Sequence, residues 1–355
     1  LPDYQPRATE YVKEMIKSIK VLIKKNYAYI AEKHVLFNVS SFPKYGTLSR
    51  RNREQQIAGS RVKVAKYKKN SGDFVLWKPS KENEPSWESP WGMGRPGWHT
   101  ECFVMSKEIL GIPFDIHGGG LDLKFPHHEN ELAQCCCFYD EITNENSYAK
   151  YWMHNGFVTI NFEKMSKSLG NIKLIKDYLK FYDGEVIRLA LLSSHYRSPL
   201  NWTEKVLEQS KSILQKYYKI LNELRDLELV GKSPNFFSQD IMNALLDDLN
   251  IPKAINILDN NVKNITIKNL NEKKLIKKAI IDVGKILGIF LKSSETFDNK
   301  NIDSNTLNQI NNLINYRNEA RKNKDYQLAD EIRKKLYNMG IEINDESNKT
   351  HWKKI

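Results

Sequence analysis

The stretch that decides both fold and site reads GWHTEC at residues 97–102 and FPHHENE at residues 125–131. It contains one cysteine, Cys102, two adjacent histidines, and a carboxylate, Glu131, four residues after the first histidine, His127. Thiolate, imidazole and carboxylate groups are ligands that suit zinc. Residues four apart share one face of a helix, so His127 and Glu131 can converge on a single ion. The pattern predicts a metal site, with His128 pointing elsewhere.

The residues around this stretch predict a parallel α/β sheet. We expect a helix from Cys102 to about residue 109, a strand at residues 114–117, a glycine turn at residues 118–120 and then a helix through the two histidines. Glycines let the backbone approach a ligand closely, and a helix start offers N–H donors to anions. A glycine cluster alone is more often only a tight turn. Three consecutive cysteines, residues 135–137, lie beyond the ligand face and are interpreted as packing residues.

Upstream, the pattern predicts a small α+β region. Apolar residues recur at helical spacing over residues 9–33 and lead into a strand, and further strands are predicted at residues 35–39 and 74–77. Residues 79–96 are rich in Pro, Ser, Gly and Trp, which indicates irregular backbone with turns. The chain begins Leu-Pro-Asp-Tyr without an initiator Met, so we expect it to start inside a longer protein.

Downstream of residue 203 the sequence becomes helical. Apolar stripes at residues 206–224, 241–249, 252–262 and 270–291 predict a helical bundle. A polar linker at residues 292–305 precedes a basic helical piece that ends at Gly340. Tyr316, Tyr326 and Trp352 interleave with its basic residues, as in surfaces that stack unpaired bases. The alternative is a solvated helix pair in which these aromatic residues form the core.

Composition limits the classes of function. The 355 residues are enough for several domains. No run approaches the ~20 apolar residues of a membrane helix, so we expect a soluble protein with no membrane partner. The net charge of +12 favours a polyanionic partner about as well as it fits a mere enrichment of surface lysine. The four cysteines form no disulfide framework, which indicates a reducing cytoplasm, and we expect a monomer.

A second motif reads KMSKS at residues 164–168. Lys164 and Lys167, with Ser166 and Ser168, can present two ammonium groups and two hydroxyls to phosphate oxygens, although such a loop alone usually just faces solvent. KMSKS is also the signature of class I aminoacyl-tRNA synthetases. Together with DIHGGGLDL at residues 115–123 and the two stretches quoted first, it makes the chain resemble the cysteinyl-tRNA synthetase family over essentially its whole length.

This resemblance implies an α/β Rossmann-like catalytic part, present as its second half, with an α+β connective-peptide insertion, an all-α helical bundle and a small basic anticodon-binding domain. The implied boundaries are 1–94 for the insertion, 95–160 for the catalytic half with its zinc site, 161–202 for the KMSKS loop and stem-contact region, 203–304 for the bundle and 305–355 for the C-terminal domain. The family's HIGH motif and first zinc cysteine are not found here, so the resemblance implies that the chain starts inside the connective peptide.

The resemblance also implies roles for single residues. One Zn²⁺ would be held by Cys102, His127 and Glu131, with the fourth ligand a cysteine upstream. The amino-acid pocket would be lined by Trp98, His99 and Asp122, although Trp98 also fits a plain buried aromatic. ATP, with Mg²⁺, would be bound by Lys164, Ser166, Lys167 and Ser168, and the two lysines would stabilise the transition state.

The implied function is cysteine–tRNA ligation: ATP-dependent formation of cysteinyl-adenylate and transfer of cysteine to tRNA(Cys), with zinc selecting the substrate thiolate. An alternative is a non-catalytic RNA-binding fragment of such an enzyme, because the half with the HIGH motif is not found. A third interpretation, a ligase that joins cysteine to a sugar amine on the same fold, is disfavoured by the long basic C-terminal region.

Overall fold

The computed structural model describes residues 2–51, 65–140, 144–165, 172, 174–229, 236–292, 304–346 and 349–354. The chain divides into two compact units, residues 1–157 and residues 158–355. Helices and strands are numbered below in chain order. No helix in the described ranges is both long and apolar enough to cross a bilayer.

The first unit opens with α1, Val12–Lys24, whose buried residues Val12, Met15, Ile19 and Leu22 recur at helical spacing on one face. Four antiparallel strands follow: β1, Ala28–Ala31; β2, His34–Phe37; β3, Phe74–Pro79; and β4, Gly94–Pro96. The predicted helix and strands of this region are confirmed.

The site of interest is carried by two helices and a pair of parallel strands. These are α2, Trp98–Leu110; β5, Phe114–Gly120; α3, Glu129–Tyr139; and β6, Ala149–Asn155. β5 and β6 are parallel, as predicted. An irregular helical turn, Lys124–His128, leads into α3, and Phe125 within it has extended backbone angles, φ −141° and ψ 130°.

The predicted glycine turn at residues 118–120 is wrong. These glycines continue β5 and pair with residues 153–155 of β6. Space explains the glycine at the middle position, because a Cβ on Gly119 would lie 2.8 Å from Cε1 of His128. The glycines therefore allow β5 to pack closely against His128, and they do not reverse the chain.

Helix α3 is buried almost throughout, from Glu129 to Cys137. Cys135 and Cys136 pack with Phe103 and Tyr148, and Cys137 packs in a neighbouring cluster with Ile19. All three are free thiols in the core. Their interpretation as packing residues is confirmed.

The second unit begins with a small sheet, in which β7, Val158–Ile160, lies between β8, Glu163–Lys164, and β9, Leu200–Trp202. Its helices are α4, Ile175–Tyr178; α5, Gly184–Leu192; α6, Glu204–Glu223; α7, Phe236–Leu246; α8, Ile251–Val262; and α9, Leu270–Leu287. Helices α5 to α9 share one apolar core that includes Leu207, Leu214, Tyr217 and Ile280. The predicted helical region is confirmed.

The chain ends in a helix pair and a hairpin: α10, Ser304–Lys322; α11, Tyr326–Asn338; β10, Ile341–Glu346; and β11, Lys349–Lys354. The sequence predicts the helices but only a short tail after Gly340. Trp352 packs against the core formed by the helices and β10, whereas Tyr316 and Tyr326 are 62 % and 64 % exposed. Of the three aromatic residues, only Trp352 packs against the core of the helix pair, as the alternative interpretation predicts.

Candidate metal centre

The structure brings the three predicted ligands together. The sulfur of Cys102, a ring nitrogen of His127 and a carboxylate oxygen of Glu131 all lie within 4.8 Å of one another. The separation between His127 Nε2 and Glu131 Oε1 is 2.6 Å, as the four-residue spacing predicts. Cys102 comes from the other helix, α2, so the group depends on how α2 and α3 pack.

A buried polar contact fixes the register of these two helices. The hydroxyl of Thr100 donates to Oε1 of Gln134 at 2.9 Å, and Nε2 of Gln134 donates to the carbonyl oxygen of Asn130 at 3.2 Å. Thr100 and Gln134 are both fully buried. Their contact places the turn of α2 that carries Cys102 beside the first turns of α3.

Glu131 is fully buried, and its second oxygen, Oε2, lies 3.1 Å from Nε2 of His117 on β5. Neither carboxylate oxygen receives a well-directed hydrogen bond from these rings. Burial alone would raise the pKa of Glu131, but the His117 and His127 rings outweigh it and hold the pKa at about 2. The carboxylate is thus a buried negative charge, and such a charge is stable only beside a partner such as a cationic side chain or a metal ion.

The donor set fits zinc because the ionised, buried carboxylate of Glu131, which lacks well-directed hydrogen-bond donors, lies next to the thiol of Cys102 and the imidazole of His127. Burial, with the nearby charges of Glu131 and Glu101, raises the pKa of Cys102 to about 12. The thiol is therefore protonated near neutral pH until a metal ion displaces its proton.

A second donor group adjoins the first and shares Glu131 with it. His117 and His128 each place a ring nitrogen within 4.8 Å of the carboxylate and of each other. Burial lowers the pKa of His128 to about 3, and its Nδ1 lies 2.8 Å from Nε2 of His154. Sequence reasoning missed His117 and His154 as site residues, because they come from β5 and β6 and no local spacing links them to Glu131.

The predicted pocket residues take different positions. Trp98 is 57 % exposed, with its ring centroid 4.1 Å from that of His127, so the alternative of a plain buried aromatic is wrong. His99 is partly buried, and its Nδ1 lies 2.7 Å from Nδ1 of His127. Burial, then the neighbouring His127, lowers the pKa of His99 to about 4. Asp122 is exposed just after β5.

Most of the KMSKS motif lies outside the described residues. Lys164 ends β8, where its backbone pairs with Thr159. Ser166, Lys167 and Ser168 belong to the part of the chain that the structure does not describe. Their assignment as ATP-binding residues stays a prediction.

With the fold and the donor group in place, comparison with known proteins defines the class. The family model described as the class I (C) tRNA synthetase catalytic domain matches residues 1–212. This chain is therefore a class I aminoacyl-tRNA synthetase in its catalytic part.

Two curated relatives narrow the assignment. The cysteine–tRNA ligase of Pelagibacter ubique is 46 % identical over 354 residues, which is 99 % of this chain and 75 % of that protein. The cysteine–tRNA ligase of Rickettsia canadensis is 46 % identical and is matched over 100 % of this chain and 76 % of its own length. The chain belongs to the cysteine–tRNA ligase family.

A solved structure of Mycobacterium tuberculosis methionyl-tRNA synthetase, in complex with methionyl-adenylate, superposes with a TM-score of 0.49. Its sequence identity is 10 %, and the match covers 84 % of this chain and 74 % of that one.

Proposed function

We propose that this protein is an ATP-dependent cysteine–tRNA ligase, which activates cysteine as cysteinyl-adenylate and transfers it to the 3′ end of tRNA(Cys). The observation that carries the proposal is the convergence of Cys102, His127 and Glu131 beside the exposed face of Trp98, in a chain of this family. A thiol, an imidazole and a carboxylate together suit zinc, and zinc next to an open aromatic surface would bind a small substrate through its thiol.

In this function Cys102, His127 and Glu131 would hold Zn²⁺, which supplies a strong preference for a thiolate over a neutral hydroxyl and so favours cysteine over serine. The protein's own residues prepare the site. Glu131 contributes its negative charge, and His99 holds the ring of His127 through the contact between their Nδ1 atoms. Trp98 offers a flat apolar wall for the substrate, and Asp122 provides a carboxylate for its amino group.

The chemistry at phosphorus requires no protein nucleophile. The cysteine carboxylate attacks the α-phosphate of ATP, pyrophosphate leaves, and the terminal ribose hydroxyl of the tRNA then attacks the carbonyl of the adenylate. Lys164 and Lys167, with Ser166 and Ser168, would bind the phosphates of Mg²⁺-ATP. The two lysines would stabilise charge that develops in the transition state.

The second unit would bind the tRNA. We assign residues 203–304 to the support of the tRNA stem and residues 305–355 to recognition of the anticodon loop. The exposed rings of Tyr316 and Tyr326 suit stacking of unpaired bases. The net charge of +12 suits an RNA partner.

Cysteine-dependent exchange of pyrophosphate into ATP, compared with serine at equal concentration, tests the proposal. We expect exchange with cysteine and essentially none with serine. Binding of tRNA with no exchange by the full-length protein would refute catalysis and leave an RNA-binding protein.

A further inference from the structure

The proposed function gives no role to Glu129, although this carboxylate lies between two of the proposed ligands, His127 and Glu131. Its side chain is fully buried in the first turn of α3. Residues two apart on a helix point to nearly opposite sides, so Glu129 faces away from the donor group that Glu131 joins.

The partners of Glu129 are backbone groups of a distant segment. Oε1 accepts a hydrogen bond from the N–H of Gly46 at 2.9 Å, and Oε2 accepts one from the N–H of Ser49 at 2.7 Å. Both bonds belong to a series of turns that ends at residue 50; with Arg51, which follows directly, residues 45–51 are here termed the 45–51 turn. A hydrogen bond is stronger in the low-dielectric interior than in water, so Glu129, which accepts two of them, fixes this turn against α3.

The 45–51 turn also contacts Phe125, which lies in the irregular Lys124–His128 turn that carries His127. The guanidinium carbon of Arg51 lies 4.5 Å from the ring centroid of Phe125, and the ring of Tyr45 approaches Phe125 edge-on at 6.4 Å. The hydroxyl of Tyr45 also donates to Oδ1 of Asn130 on α3. The turn therefore holds the chain both before and after His127.

This support matters because the backbone at His127 is irregular. Phe125 has extended angles inside the Lys124–His128 turn, and the N–H of His128 bonds to the carbonyl of Leu123, five residues back, at 2.9 Å. The backbone of a regular helix is held by hydrogen bonds between residues four apart, whereas this segment lacks that regular pattern and relies on neighbouring groups.

We propose that Glu129 is a positioning residue for the metal centre: through the 45–51 turn it holds the irregular backbone so that His127 meets Cys102 and Glu131. The inference rests on the proposed function, in which these three residues hold Zn²⁺. It adds a residue that touches neither metal nor substrate, yet sets how tightly the metal is held.

The decisive variant is Glu129→Gln, which keeps the size of the side chain. An amide can accept from one backbone N–H, but its NH₂ group then faces the other N–H, so one bond is removed and a donor is left opposite a donor. Outer groups that orient metal ligands typically contribute about 10- to 100-fold in metal affinity. We expect a loss of that size in Glu129→Gln.

Cobalt(II) is a suitable probe of the full-length protein, because thiolate coordination gives it a charge-transfer band and its affinity can be measured by competition with a chelator. We expect Glu129→Gln to bind cobalt more weakly and to show a weaker thiolate band at saturation. These two readouts report ligand geometry, and they do not depend on catalysis.

The matched control is Glu185→Gln in the second unit. Glu185 is also a buried carboxylate, and it accepts from the N–H groups of Phe290 and Leu291 at 3.0 Å and 3.3 Å. The Glu185→Gln variant should lose thermal stability but keep the cobalt affinity and the cobalt spectrum of the wild-type protein. A positioning role thus predicts different metal binding in two variants with similar chemical changes.

Wild-type cobalt affinity and spectrum in Glu129→Gln would overturn the inference, even if its melting temperature falls. If that variant does not fold, Tyr45→Phe decides, since it removes the bond to Asn130 while keeping the ring and should weaken cobalt binding several-fold; unchanged binding would again overturn the inference. A wild-type protein that binds no cobalt would instead refute the proposed metal site itself.

Discussion

The hydroxyl of Thr100 on α2 donates a hydrogen bond to the side-chain carbonyl of Gln134 on α3 across 2.9 Å, with both side chains fully buried. Since Cys102 lies on α2 and Glu131 on α3, this contact joins the two sides of the donor group. It is also a contact that a single isosteric change removes.

Thr100→Val should destabilise the protein by about 1–3 kcal/mol, because Oε1 of Gln134 would stay buried without its donor. Denaturant unfolding measures the change. Ser212→Ala is the control, as the hydroxyl of Ser212 bonds to its own helix at Glu208 on an exposed surface. Equal stability of Thr100→Val and wild type would show that the contact contributes nothing.

Cys102→Ser should abolish stoichiometric zinc, because a neutral hydroxyl is a poor ligand for this ion. Metal analysis of the purified full-length protein measures zinc, and pyrophosphate exchange should fall with it. Cys135→Ala removes a buried thiol that lies in the apolar core and should keep its zinc. Full zinc content in Cys102→Ser would disprove the ligand assignment.

Lys167→Ala should slow adenylate formation by about 10²-fold or more, as expected when one group that stabilises transition-state charge is removed. Single-turnover formation of the adenylate is the measurement, and zinc content should not change. Lys180→Ala provides a comparison, since Lys180 is an exposed lysine that pairs with Asp177. A normal exchange rate in Lys167→Ala would exclude its catalytic role.

Removal of residues 305–355 should reduce the slope of log affinity for tRNA against log salt, because a protein that neutralises fewer phosphates releases fewer counterions. The double variant Tyr316→Ala, Tyr326→Ala should instead weaken binding by about 1–3 kcal/mol per stacked base without changing the slope. Fluorescence titration at several salt concentrations separates these effects. An unchanged slope after the deletion would assign the basic C-terminal residues to a merely solvated surface.

Hydrogen bonds from Arg197 and Tyr196 lower the pKa of Asp248 to about 2. An unfolded aspartate has a pKa of ~3.9, so this stabilising contribution is complete above that pH and disappears as pH falls toward 2. Asp248→Asn should therefore melt below wild type at pH 6, and the gap should narrow by pH 3. Asp226→Asn, which removes a carboxylate from an exposed side chain, is the control for the general loss of one negative charge. A constant gap for Asp248→Asn would contradict this assignment.

The convergence of the three proposed ligands was predictable from sequence because part of it is local. His127 and Glu131 lie four apart on a chain that becomes helical, and the GWHTEC stretch supplies Cys102. His117 and His154 were not predictable in the same way, since the parallel pairing of β5 with β6 brings them to this place. Long-range pairing of strands leaves no spacing in the sequence.

The secondary structure was likewise predictable where its signal is local and was missed where long-range packing decides it. Apolar periodicity predicts α1 and the helices of the second unit, because each buries one stripe of side chains. The hairpin of β10 and β11 was missed, since its Asn, Asp and Lys residues have low strand propensity. Burial of Ile341, Ile343 and Trp352 against the helix pair outweighs that propensity.

The glycine run in β5 has a consequence for which mutations this protein tolerates. A Cβ at Gly119 would press on the buried ring of His128, but one at Gly118 would meet only a backbone oxygen at 3.8 Å, an ordinary contact. Saturation mutagenesis should therefore find that two adjacent glycines differ in the substitutions they tolerate: alanine is accepted at position 118 and rejected at position 119. Gly118 and Gly119 are identical in the sequence, but selection against substitution acts much more strongly at Gly119.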